Sequence, residues 1–166
     1  IVALARASVE RFVTTGMMLE VPEDAPLELL HRRAGVFVSL HERGELRGCI
    51  GTIGPTQPDL AREIIRNGVL AASEDPRFPP VASDELDYLE YSVDVLEEPE
   101  PAAGLDDLDV REYGVIVSKG WRRGLLLPNL EGVDTVEQQV AIAKRKAGIG
   151  WDERDIELER FRVERH

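Results

Sequence analysis

The only thiol in the chain, Cys49, sits in the stretch Leu46-Arg47-Gly48-Cys49-Ile50-Gly51, two residues after an arginine and flanked by glycines. A guanidinium on the same face of a strand would favour the thiolate, which is the nucleophilic form of cysteine. Gly48 and Gly51 would let a ligand or a second backbone come close. Cys49 and Arg47 are therefore the candidate catalytic pair, and Gly48 and Gly51 the candidate substrate contacts. A third candidate contact is Arg77, in the stiff segment Asp75-Pro76-Arg77-Phe78-Pro79-Pro80, whose prolines restrict φ. A second guanidinium there would strengthen the effect on the thiol and orient a small anionic ligand. The plainer reading of the same residues is structural. Cys49 would then be a small buried apolar group, Arg47 and Arg77 would pair with nearby carboxylates, and Phe78 would plug the core.

Other constellations carry less. Gly48, Gly51 and Gly54 recur ahead of a helix, as in an anion cradle. However, Pro55 and Pro58 remove amide donors, Asp59 adds a negative charge, and the spacing fits neither phosphate-binding fingerprint. His31, His41 and His166 are scattered and no second cysteine exists, so neither a metal nor a cofactor is expected. His41 shares a hairpin with Cys49 but is offset along it. Trp121 and Trp151 fall in turn-like contexts, where an indole serves lobe packing or acts as a ligand platform.

These residues need elements to position them. Leu4, Ala5, Val9, Phe12 and Val13 predict a helix from Val2 to Thr15, stopped by Gly16. Leu27 to Arg33 reads as a short helix or turn. Val36 to His41 and Glu45 to Ile53 read as a hairpin. A three-residue loop, Glu42-Arg43-Gly44, would set Leu40 opposite Leu46 and Val38 opposite Gly48, with Gly44 at positive φ. That register puts Phe37, Ser39, Arg47 and Cys49 on one face. Asp59 to Ser73 reads as a helix with Leu60, Ile64, Ile65, Gly68, Ala71 and Ala72 inward, and Tyr88 to Leu96 as a strand. Glu97 to Asp107 is an acidic connector with Pro and Ala, marking a lobe boundary within about 97–110. The order then repeats. Gly114 to Ser118 and Gly124 to Leu127 form a hairpin. A helix starts at Asp134 with a capping box to Glu137 and closes at Gly148. A last strand runs from Ile156 to Val163, and its alternation slips as at a bulge. Element order thus predicts an α+β fold of two hairpin–helix–strand units with mixed or antiparallel sheet and an added N-terminal helix.

Composition limits the function. The 166 residues suit one domain or two intimate lobes. Lys plus Arg number 20 against 32 Asp plus Glu, a formal charge of −12. That charge opposes binding to nucleic acid and to anionic membranes. A single cysteine excludes an internal disulfide and suits a cytoplasmic protein. No apolar run reaches the roughly 20 residues of a spanning helix. No signal peptide is visible, and without a starting Met the N-terminus reads as trimmed.

At Gly35-Val36-Phe37-Val38-Ser39-Leu40 and Leu46-Arg47-Gly48-Cys49-Ile50-Gly51-Thr52 the chain resembles the AMMECR family, also called AmmeMemoRadiSam system protein A. Asp75 to Pro80, Leu125-Leu126-Leu127-Pro128 and Lys146-Ala147-Gly148-Ile149 match further blocks in the same order. The resemblance implies one AMMECR-type domain over 1–166, with a duplicated hairpin unit and two lobes around a cleft. It implies no established reaction. It points to a site at Leu46 to Gly51 and to work alongside a Memo-like protein and a radical-SAM protein. Two readings follow: an enzyme or small-molecule-binding protein using Arg47, Cys49 and Arg77, or a non-catalytic protein–protein interaction module whose hexapeptide builds the sheet.

Overall fold

A computed structural model describes residues 1–166. The elements run α1 (Val2–Thr15), α2 (Leu27–His31), β1 (Val36–Glu42), β2 (Glu45–Gly51), α3 (Leu60–Ser73), β3 (Leu89–Leu96), β4 (Glu100–Ala102), β5 (Gly114–Lys119), β6 (Arg122–Leu126), α4 (Val136–Ala147), β7 (Glu157–Phe161) and β8 (Val163–Arg165). The strands form two four-stranded antiparallel sheets, ordered β2-β1-β3-β8 and β4-β7-β5-β6. The chain divides into two compact units: residues 1–96 with 164–166, and residues 97–163. The fold is α+β, as the element order predicts. No helix is long and apolar enough to cross a membrane.

In the first unit, Val36, Val38 and Leu40 of β1 are fully buried, as are Val93 and Val95 of β3. They meet the buried stripe of α3, and α1 packs on the same helix. Two glycines close helices in the left-handed region, Gly16 (φ 71°) after α1 and Gly148 (φ 72°) after α4. Asp59 caps α3 by accepting from the Arg62 N–H at 2.8 Å. In the second unit, Val115, Val117, Val140 and Ala143 form the core between sheet and α4.

The first hairpin departs from the expected register. Its loop has two residues, Arg43 (φ 52°) and Gly44 (φ 81°), and Glu42 faces Glu45. Two consecutive positive φ values fit the type I′ turn, whose twist matches the strands. His41 then faces Leu46, but Leu40 faces Gly48, so Arg47 is the extra residue of a bulge. The short loop alone would turn the apolar face over, and the bulge turns it back. Leu40 is thus opposite Gly48, not Leu46.

Three further differences are local. The α4 cap is Thr135 with Gln138, one residue beyond the expected Asp134 and Glu137 pair. The connector after β3 contains β4, which gains a partner only by pairing with β7, remote in sequence. The slip in the last strand is a division, since β7 belongs to one sheet and β8 to the other, with Arg162 between them.

Candidate functional site

Cys49 lies on β2, the edge strand of the first sheet, directly opposite Ser39. Its N–H points off the edge and donates to Asp75 Oδ2 at 2.9 Å. Cys49 and Ser39 are therefore a pair whose side chains stand close, and Ser39 Oγ donates to Cys49 Sγ at 3.2 Å. Cys49 is half-buried. Burial pushes its thiol above the ordinary value; the Ser39 bond and the Arg77 charge pull it down, while Asp75 and Asp94 push it up. The net direction keeps the thiol protonated at neutral pH. His41 sits opposite Leu46, further along the hairpin.

The bulge aims Arg47 elsewhere. Its Nε and Nη2 donate to the two oxygens of Glu85 at 2.8 and 3.1 Å. The Ala82 N–H completes that carboxylate at 2.7 Å. The bond from Arg47 holds Glu85 below its ordinary value. Arg47 is thus committed to a carboxylate in the 3-10 turn Ser83–Tyr88, which precedes β3. The charge that acts on the thiol is Arg77.

Arg77 donates from Nε (3.0 Å) and Nη2 (2.8 Å) to Asp75, and its own N–H bonds the same carboxylate at 3.0 Å. With the Cys49 N–H, Asp75 accepts four bonds while only 3% of its side chain is exposed. The Arg77 bonds hold it well below the usual carboxylate range. The Arg77 side chain is 56% exposed. Phe78 joins the two guanidiniums: its ring centroid is 5.5 Å from Arg77 Cζ and 6.0 Å from Arg47 Cζ.

The glycines approach protein. A Cβ on Gly48 would lie 2.2 Å from the Ala71 carbonyl oxygen of α3, and one on Gly51 would lie 2.2 Å from the Phe37 ring. Gly48 therefore lets the helix settle on the sheet, and Gly51 makes room for an aromatic on the neighbouring strand. Behind them, fully buried Glu63 accepts from Thr52 Oγ1, Thr56 Oγ1, Thr56 N and Gln57 N, each at 2.8 Å, and so pins the loop after β2.

Of the residues singled out in the sequence, Cys49 and Arg77 come together through Asp75. Arg47 joins them only through Phe78. Glu85 and Glu63 are not marked by the sequence. Glu85 lies 38 residues from Arg47, and no local pattern marks it. Ser39 shares the face of Cys49 in the expected register but stands opposite Arg47 there, and the bulge brings it opposite Cys49. No group of three His, Cys, Asp or Glu side chains is placed to hold a metal ion.

The comparisons with known proteins agree in extent. A protein of Thermotoga maritima is 58% identical over 160 residues, covering 95% of this chain and 91% of the relative. A protein of Clostridium acetobutylicum is 51% identical over 166 residues; the match covers 99% of this chain but spans about a third of that relative, 35%. The crystal structure of an uncharacterized protein from Pyrococcus horikoshii superposes with a TM-score of 0.91 at 37% identity, covering 99% of this chain and 87% of that one. The profile of the AMMECR1 family matches residues 2–166, and the chain belongs to that family.

Proposed function

We propose that this chain is a non-catalytic interaction module, and that the Arg77–Phe78 corner is its contact point on the first unit. One observation carries the reading: the groups of the hexapeptide that could do chemistry are committed to the fold. Arg47 is on Glu85, Gly48 is against Ala71, the Cys49 N–H is on Asp75, the thiol is desolvated beside Ser39, and Gly51 is under Phe37. A protonated, half-buried thiol is a poor nucleophile. Arg77 is different. Two of its guanidinium nitrogens hold Asp75, and Nη1 on an exposed side chain is left to donate outward. A fixed guanidinium beside an aromatic ring suits a carboxylate or phosphate on a partner. The resemblance supplies the partners to try first, a Memo-like protein and a radical-SAM protein.

The unspent Nη1 also favours a second reading, a small anionic ligand held at Arg77. Calorimetric titration with each purified partner protein and with inorganic phosphate separates the two. The module reading expects partner binding that Cys49→Ser leaves unchanged and Arg77→Glu weakens at least tenfold. Phosphate binding that saturates without any partner favours the ligand reading. Rapid native-state alkylation of Cys49 with a thiol pKa below the roughly 8.5 of a free cysteine would restore the nucleophile and overturn both.

A further inference from the structure

A cavity of about 500 Å³ opens on the first unit, between the segment that follows α1 and the first two turns of α3. That volume falls within the roughly 300–1,000 Å³ usual for small-molecule sites. Leu19 and Val21 line it from the segment and pack on the core beneath. Ile65 lines it from α3 and is 3% exposed. Met18, half exposed, adds a flexible thioether, the kind of side chain that fits itself to irregular apolar shapes.

The polar lining divides into groups that are spent and groups that are not. Gln57 gives its N–H to the buried Glu63 at 2.8 Å, and its carbonyl accepts from Arg33 Nε at 3.3 Å. That holds one end of the cavity in place. Arg62 pairs with Asp59, the cap of its own helix, so its charge is balanced within α3. Two lining groups are left over. The side chains of Arg66, on α3, and Glu20, on the segment after α1, make no hydrogen bond and no ion pair within the chain. One solvated charge on a surface needs no explanation. Here a cation and an anion line the same apolar cavity and do not reach each other, so what fills the space between them can satisfy both.

The two free charges select the occupant. An apolar acid would satisfy Arg66 but bring its carboxylate into the cavity that Glu20 lines. An apolar amine would make the reverse error beside Arg66. A molecule with an apolar body, one carboxylate and one ammonium satisfies both groups and adds no net charge. We propose that this cavity binds a small apolar zwitterion, an apolar α-amino acid or a short apolar peptide with free ends. Arg66 takes the carboxylate, for which a planar guanidinium offers two parallel donors. Glu20 accepts from the ammonium. Met18, Leu19, Val21 and Ile65 take the apolar body. The cavity shares no residue with the Arg77 corner, so either can fail alone.

The experiment follows amide chemical shifts of the intact, isotopically labelled chain. The probes are leucine, the dipeptide Leu-Leu, N-acetyl-Leu-Leu, which lacks the cation, and Leu-Leu amide, which lacks the anion. The expected result is saturable shifts at Leu19, Ile65 and Arg66 with a zwitterion, the tighter of leucine and Leu-Leu naming its source. Each blocked dipeptide should bind roughly tenfold or more weakly than Leu-Leu, the cost of losing a charge-assisted contact. Arg66→Ala should erase the preference for the free carboxylate over the amide and keep that for the free amine over the acetyl form. Glu20→Gln should do the opposite. Both side chains are exposed, so circular dichroism should stay unchanged in both variants. Arg77→Glu should bind as the parent chain does. Absence of saturable shifts with both zwitterions overturns the proposal. So does equal binding of the blocked forms, or charge preferences that persist in both variants.

Discussion

The two hairpin–helix regions solve one packing problem alike and then diverge. In the first, Gly48 of β2 admits the Ala71 carbonyl of α3; in the second, Gly124 of β6 admits the Ala143 carbonyl of α4. Each helix buries one side-chain amide that donates to a carbonyl where the leading strand begins: Asn67 to Val36 at 2.9 Å, and Gln139 to Tyr113 at 2.8 Å. In both amides the oxygen is buried without a partner. The hairpins themselves differ. The second has Gly120 at φ 59° as the first central residue of a two-residue turn and an unbroken register, with Lys119 facing Arg122. The first needs a bulge, and its bulged arginine leaves the sheet for Glu85. The shared features are packing. The thiol, the Asp75 clamp and Arg77 occur only in the first region, and the exposed indoles of Trp121 and Trp151 only in the second. The candidate functional groups therefore lie where the two regions part.

The sharpest way to break the parallel is to add one methyl group. Gly48→Ala and Gly124→Ala would each drive a Cβ to within 2.2 and 2.1 Å of a backbone oxygen, which no rotamer can relieve. Each should cost about 3 kcal/mol in chemical denaturation. Gly54→Ala, with nothing within 4 Å and no positive φ, should be near neutral. A mild effect at Gly124 alone would mean that α4 yields where α3 does not.

The buried amides come next. Gln139→Ala should lose about 2 kcal/mol, because it removes the side-chain donor to the Tyr113 carbonyl. Asn67→Ala should lose less, about 1 kcal/mol, because the Val36 carbonyl keeps the Thr52 N–H at 3.0 Å. Arg47→Ala should cost an intermediate amount, about 1.5 kcal/mol, since its pair is only partly buried. It should also raise the pH at which Glu85 titrates, readable by carboxyl NMR.

The smallest effects are those of pH. Asp75 and Glu85 are held below their ordinary values in the fold, so their contribution is present above the unfolded carboxylate pKa. It is lost as pH falls through the folded values. In the second unit Glu153 is lowered to about 2 by Arg122, so the midpoint of its titration should lie near pH 2. Cys49 runs the other way. Its folded pKa is raised, so stability should decline as pH climbs past the unfolded thiol pKa. Alkylation of the native protein should likewise switch on at higher pH than that of the unfolded chain. Equal profiles would remove the burial argument at Cys49.

Much of the scaffold could be read from the sequence because it is written locally. The three- and four-residue spacing of Leu4, Ala5 and Val9 is enough to place α1, and Gly16 enough to end it, since both act through near neighbours. The alternation in β1 identifies Val36, Val38 and Leu40 as core whichever residues they face. The Gly48–Cys49 stretch stands out by composition alone. What those residues do depended on distant chain. A three-residue loop and a two-residue loop with a bulge both keep the apolar face on α3, and the bulge found here goes with the bond of Arg47 to Glu85, 38 residues away. Ion-pair choice is less local still: Arg47 reaches Glu85 and Arg77 stays on Asp75, because a guanidinium takes whichever carboxylate folding delivers. The glycines read equally well as access for a ligand or as room for packing, and only α3 and Phe37, filling that room, decided between them. Sequence determined the elements and the residues of interest; tertiary structure decided their partners, because charge and contact act through space rather than along the chain.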